Sequence, residues 1–391
     1  MQEWTPRMRA VTATRCRGAV LAVCLTIAAP AHAALSEAAR LAGIYDTILQ
    51  SRFDKASQQL AQACPPAPTE ACKSLGAESL WWQIVLDPNS RRLDDRFERV
   101  ATDAIAAAAA WTRREPRRAE AWFYLAGSHA PLVQWRVLRG ERLAAAREGA
   151  TIKDALERVL SLDPTIEDAH FGIGLYHYYA DVASLAARIL RVLLLLPGGD
   201  RARGLREMLQ ARERGELLRG EADYQLHRLY LWYEGQPARA LELLRGLDAR
   251  YPSNPVFLQR IAEVQHEYFH DHRASADAWQ TLVARARAGQ VSAPRLAEAR
   301  ARIGLASELI DQSQPGQAVD ELQIVIAMRP LEPYSAEALA QLQLGSAYDH
   351  LGQRTLAVAA YNAAVSSAPP DDPLQVRSRA RAKLRETRIG R

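Results

Sequence analysis

Between Ala338 and Pro369 small and large residues recur in a fixed order: Leu344-Gly345, Tyr348, Ala357, Tyr361, Ala364 and Pro369. With Gly345 set as position 8 of a unit of about 34 residues, these fall at positions 7, 8, 11, 20, 24, 27 and 32. The order has a steric cause. Two antiparallel helices pack closely only where small side chains such as Gly345, Ala357 and Ala364 let the backbones approach, with bulky ones filling the gaps. A hairpin of this kind cannot bury its apolar face alone, so the pattern predicts stacked neighbours.

The neighbours can be found by their prolines. Ala240 to Pro252, Ala318 to Pro330 and Ala357 to Pro369 repeat one interval. A first-helix pattern recurs as Ala121-Trp122 with Leu125, Ala169-His170 with Ile173-Gly174, Ala222 with Leu226 and Tyr230, and Ile303-Gly304. Apolar residues return every three or four positions after Ala34, and no stretch alternates as a strand would. Asp87-Pro88, Glu115-Pro116, Asp163-Pro164, Tyr251-Pro252, Arg329-Pro330 and Ala368-Pro369 mark the expected helix ends. Residues 131–150 and 182–200 read as insertions in the earlier units, the second holding an apolar helix. Asp200, after Gly198-Gly199, is the expected N-cap of the helix that follows.

These residues resemble the tetratricopeptide repeat family. The resemblance implies an all-α fold: a right-handed α-solenoid of about eight helix hairpins with a C-terminal capping helix. The expected segments are a cleaved leader (1–33), N-terminal hairpins (34–116), divergent repeats (117–219), regular repeats (220–370) and a basic terminal helix (371–391). Phe171 to Tyr176, Tyr178 to Asp181, Leu196 to Arg201, Leu231 to Glu234 and Arg250 to Pro252 are similar to a group of uncharacterised exported bacterial proteins of this repeat class. That second likeness brings no known reaction with it.

Export is also legible locally. Arg7, Arg9, Arg15 and Arg17 precede a short apolar stretch from Gly18 to Pro30, and Ala31-His32-Ala33 fits a cleavage site. The expected location is periplasmic or secreted. Of the formal charge of +5, the leader's four arginines less Glu3 account for three units. The remainder is close to neutral, which gives no reason to expect nucleic acid. Removing the leader also removes Cys16 and Cys24, leaving Cys64 and Cys72, which an oxidising compartment would join. No later run offers the ~20 apolar residues of a membrane span. The basic terminal helix and the apolar helix near 182–196 leave a peripheral membrane contact open.

Chemistry-bearing patterns are few. His266-Glu267-Tyr268-Phe269-His270 matches H-E-x-x-H, in which two histidines on one helical face bind zinc beside a glutamate base. His266 and His270 are thus candidate metal ligands, with His272, Glu298 and Glu308 as possible thirds. The absence of strand patterns leaves no sheet to hold a peptide substrate, so a zinc peptidase is the alternative and a non-enzymatic scaffold without cofactor the first expectation. Inner-face positions of such repeats hold extended or helical peptides. In register with Gly174 they are Asp168, Phe171, Tyr178 and Tyr179, and in the next unit Glu221, Tyr224, Arg228 and Trp232. These eight are the candidate contacts for a protein or peptide partner, in cell-envelope assembly or trafficking. A rival reading makes the same aromatics core. A peripheral membrane adaptor is a further alternative.

Overall fold

Proline sets the helix boundaries. The residue before a proline is pushed out of the α region. Six helices accordingly stop two residues short of one, at Leu86, Arg114, Leu162, Arg250, Met328 and Ser367. Four helices, two of them among those six, carry proline in their first turn, where no amide hydrogen bond is lost: Pro237, Pro255, Pro294 and Pro315. The computed structural model describes residues 35–182 and 198–389, and among them there are seventeen helices and no strand. The leader and most of the apolar insertion, including Leu196-Pro197, lie outside the described residues.

Sixteen helices pair in chain order into eight hairpins. They are α1 (Ala38–Leu49) with α2 (Phe53–Ala63), α3 (Thr69–Leu86) with α4 (Asp94–Arg114), and α5 (Ala119–Leu138) with α6 (Arg142–Leu162). Next come α7 (Ala169–Val182) with α8 (Arg201–Arg214), and α9 (Arg219–Trp232) with α10 (Pro237–Arg250). The last three are α11 (Pro255–Phe269) with α12 (His272–Arg287), α13 (Pro294–Asp311) with α14 (Pro315–Met328), and α15 (Ala336–His350) with α16 (Arg354–Ser367). A final helix, α17 (Val376–Ile389), packs on the last hairpin and completes the α-solenoid. The Cys64–Cys72 disulfide joins the end of α2 to the start of α3. Asp200 caps α8 by accepting the Arg203 amide at 2.9 Å. The residues after Pro131 form no long loop: α5 runs straight through this proline, and the extra length goes into α5 and α6.

The small residues sit where helices touch. A Cβ on Gly345 would lie 2.4 Å from the Tyr361 ring, as the spacing in the last hairpin predicts. Gly174 and Gly204 face each other across α7 and α8, so a Cβ on Gly174 would lie 2.6 Å from the Gly204 carbonyl oxygen. Backbone cannot step aside as a side chain can. Gly174→Val is therefore expected to destabilise by about 1–3 kcal/mol or more, seen as a lower urea midpoint. Gly43→Ala on α1, with nothing within 4 Å, should instead gain roughly 0.5–1 kcal/mol from helix propensity. Equal midpoints for the two variants would contradict the close crossing of α7 and α8.

The stack also closes on itself. Helix α3 is buried nearly all round, with Leu80, Trp81, Trp82, Ile84 and Leu86 in the core and Trp82 at 0% exposure. A helix apolar on every side belongs in an interior. The Trp82 ring lies 4.9 Å from that of Tyr224 on α9 and 6.0 Å from that of Phe257 on α11. At the end of α3, Arg300 of α13 donates to the Leu86 carbonyl at 2.5 Å and sits 3.6 Å from Asp87. The Tyr334 amide donates to the same Asp87 at 2.9 Å. The end of α1 is held by the turn after α10. Tyr251 donates to Asp46 at 2.6 Å, Ser253 to the Gln50 carbonyl at 2.8 Å, and Asn254 to the Leu49 carbonyl at 2.8 Å. The first two hairpins thus lie against the first helices of the fifth to seventh hairpins.

Candidate functional site

The first helices of the repeats carry the residues that the repeat register points to, and this structure divides those residues into two groups. Glu221 and Tyr224 of α9 are covered by α1 and α3. Glu221 is 4% exposed, with its Oε2 3.1 Å from the Tyr45 hydroxyl and its Oε1 accepting from Gln225 at 2.7 Å. The same Tyr45 hydroxyl lies 3.3 Å from Glu78 of α3. Burial, then the mutual repulsion of Glu78 and Glu221, lifts the Glu78 carboxyl well above the ordinary range. Glu221 is raised as well, again chiefly by burial, with Gln225 and Tyr45 pulling the other way. One hydroxyl proton cannot serve two carboxylates, so a proton held on a carboxyl completes the cluster. Beside it His227 is fully enclosed and held well below its usual range, first by burial and then by the Arg228 charge.

Asp168 and Phe171 also point inward. Asp168 is 3% exposed and accepts the amides of Glu216, Leu217 and Leu218 at 2.8–3.1 Å, which fixes the turn into α9. Phe171 is a core side chain. Neither offers its chemistry to solvent.

The other four come together at the far ends of α7 and α9. Tyr178 is buried and donates its hydroxyl to Glu234 at 2.5 Å, and Arg201 bonds the same carboxylate at 2.8 Å. Tyr179 packs edge-on against Tyr233 at 5.8 Å, and Tyr178 does so at 5.9 Å. Trp232 is 55% exposed with the Arg228 guanidinium 4.7 Å from its ring. Tyr233 is 39% exposed beside it. The accessible surface is therefore Arg228, Trp232 and Tyr233, braced from below by Tyr178, Tyr179, Arg201 and Glu234. Tyr233, Glu234 and Arg201 were not among the register positions. The run Leu231-Trp232-Tyr233-Glu234 is the signal for the first two, and the run Leu196 to Arg201 for the third.

The H-E-x-x-H motif does not assemble as a helical pair. Helix α11 ends at Phe269, and His270 adopts a left-handed backbone with φ 52° as the chain turns. The side chains that converge with His266 are His272, Glu308 and Asp311, without His270. Glu267 has no part in that group either. These four are the residues able to hold a metal ion among those described.

No protein-family model matches the chain, and no curated protein matches it. Solved structures give loose likenesses. The Cut9–Hcn1 hetero-tetramer of the APC/C aligns with a TM-score of 0.47 and 14% identity over 86% of this chain. Yeast Tom70 gives 0.42 and 14% over 81%, and the human IFIT1 dimer with m7Gppp-AAAA gives 0.45 and 12% over 90%. The chain spans 54% of the first protein and 65% of the second. TM-scores below 0.5 carry no argument about function, and the repeat architecture rests on the helix pairing itself.

Proposed function

We propose that this protein is an exported interaction scaffold that docks a protein or peptide partner on the Arg228–Trp232–Tyr233 surface, in cell-envelope assembly or trafficking. The carrying observation is the exposed Trp232, with Arg228 over its ring and Tyr233 alongside. Tryptophan, tyrosine and arginine bury large areas at low entropic cost and dominate binding energy where a rigid base holds them. That base is supplied by Tyr178 and Tyr179 against Tyr233, with the Arg201–Glu234 pair beneath. The inner face at Glu221 and Tyr224 is occupied by α1 and α3, which moves the docking surface to the open end of α9. The signal-like pattern of residues 1–33 and the Cys64–Cys72 disulfide support an exported location. No helix among the described residues is long and apolar enough to cross a membrane.

The test is photo-crosslinking in cells. A reactive side chain at position 233 is expected to capture a discrete partner, and one at Leu356, also exposed, is not. Trp232→Ala should reduce capture at 233 about ten-fold or more. Equal capture at both positions, or yield unaffected by the substitution, would remove this surface from consideration.

A further inference from the structure

The turn between α11 and α12 places a nearly enclosed carboxylate between two imidazoles. Glu308, 3% exposed on α13, has Oε1 3.0 Å from His266 Nδ1 and Oε2 2.9 Å from His272 Nδ1. The two rings stand 5.1 Å apart at 74°. Ser275 donates to Glu308 Oε1 at 3.0 Å, and Asp311 Oδ2 lies 3.8 Å from His272 Nδ1. One ligand atom from each of His266, His272, Glu308 and Asp311 lies within 4.8 Å of all the others.

We propose that these four residues form a structural zinc site that staples the sixth hairpin to the seventh. An enclosed carboxylate is costly without a positive partner. Among the described residues no lysine or arginine forms an ion pair with Glu308; its ion-pair partners are the two histidines. A cation bound at this carboxylate supplies a positive charge that no lysine or arginine gives it. Two imidazole nitrogens and two carboxylate oxygens are a ligand set that suits Zn²⁺. Ligands at about 2.0–2.1 Å from a tetrahedral ion stand roughly 3.4 Å apart, and the separations at His272 bracket that value. Closing the remaining gap falls to His266, His272 and Asp311, whose side chains are 36–41% exposed and free to adjust. Glu308 stays fixed, oriented by Ser275, an outer-shell partner of the kind that orients metal ligands. Gln312 steadies the turn by donating to the His272 carbonyl at 2.8 Å.

The ligand set crosses two hairpins, which distinguishes it from the motif on α11. His272 lies outside H-E-x-x-H and is required; His270 lies inside it and is not. All four positions coordinate, so the inference gives a staple and not a peptidase centre.

The experiment uses untagged full-length protein stripped with a chelator and dialysed against Zn²⁺ alone. The expected result is one ion per chain at micromolar affinity or better, with a rise in melting temperature. Co²⁺ in place of Zn²⁺ should give the intense visible bands of a tetrahedral site, a reading that needs no variant. His272→Ala, at a partly exposed helix start, should lower affinity ten-fold or more while far-ultraviolet circular dichroism is retained. His270→Ala should bind as the parent does. Absence of stoichiometric uptake, octahedral cobalt spectra, or equal loss in the His270 and His272 variants would each overturn the site.

Discussion

Trp82→Ala is expected to lower the free energy of unfolding by about 3–5 kcal/mol, the range for a large aromatic removed from a sealed core. The cost is high because the indole bridges three segments: its own helix α3, Tyr224 of α9 and Phe257 of α11. Tyr224 and Phe257, whose rings border the indole, are both buried, so the cavity cannot collapse cheaply. The loss should also have a direction. Contacts between successive hairpins are untouched, and the contacts α1 and α3 make with the later repeats weaken. Limited proteolysis of the variant is thus expected to begin in residues 35–92, with the portion after Ala119 persisting longer. A variant that melts within a degree of the parent, or is cut uniformly, would contradict this closure.

The second large effect is a loss of stability on raising the pH. Glu78 and Glu221 have folded-state pKa values above the ordinary 4.5, chiefly through burial. A folded state with raised carboxyl pKa holds protons that the unfolded chain has released. Its contribution is full below the ordinary carboxyl pKa and is lost as pH rises through the folded values. Asp87 and Asp168, also raised by burial, act with the same sign. His227 works in the other direction. Its depressed pKa contributes above the ordinary 6.5 and is lost as pH falls below it. The two effects oppose each other between the ordinary carboxyl and imidazole values, and above 6.5 His227 is neutral in both states and no longer changes the balance.

As the pH rises above the ordinary carboxyl value the parent should therefore lose a stabilising contribution that the Glu78→Gln/Glu221→Gln variant never had. The variant is therefore expected to lose less stability than the parent as the pH is raised. The amides keep hydrogen bonds to Tyr45 and Gln225 without the buried charge. Urea midpoints measured across the range decide the matter. A difference between parent and variant that does not change with pH would mean the pair is solvated.

Much of this architecture is legible without coordinates. Helix ends follow from proline placement, because the constraint acts on the adjacent residue and needs no tertiary partner. The small-large order at Gly345, Ala357 and Tyr361 forecasts a close hairpin because both helices of the contact lie within one short segment. Asp200 could be assigned as a cap because the amide that it accepts is three residues away. The candidate site was less accessible. Assigning Glu221 and Tyr224 to an open inner face assumed that nothing else in the chain reaches them, and repeat register carries no information about that.

The sequence by itself thus determined the helices, their pairing and the positions that face inward, since each is decided within one or two turns of chain. Only the tertiary structure decided what those faces meet. Trp82 meets Tyr224 from 142 positions away, and Tyr45 meets Glu221 from 176. Such contacts follow from how far the stack curves, a sum of small rotations at every hairpin that no local pattern encodes. The histidines obey the same logic. Where α11 stops and how sharply the chain turns choose His272 over His270 as the partner of His266, although the motif alone favours the other.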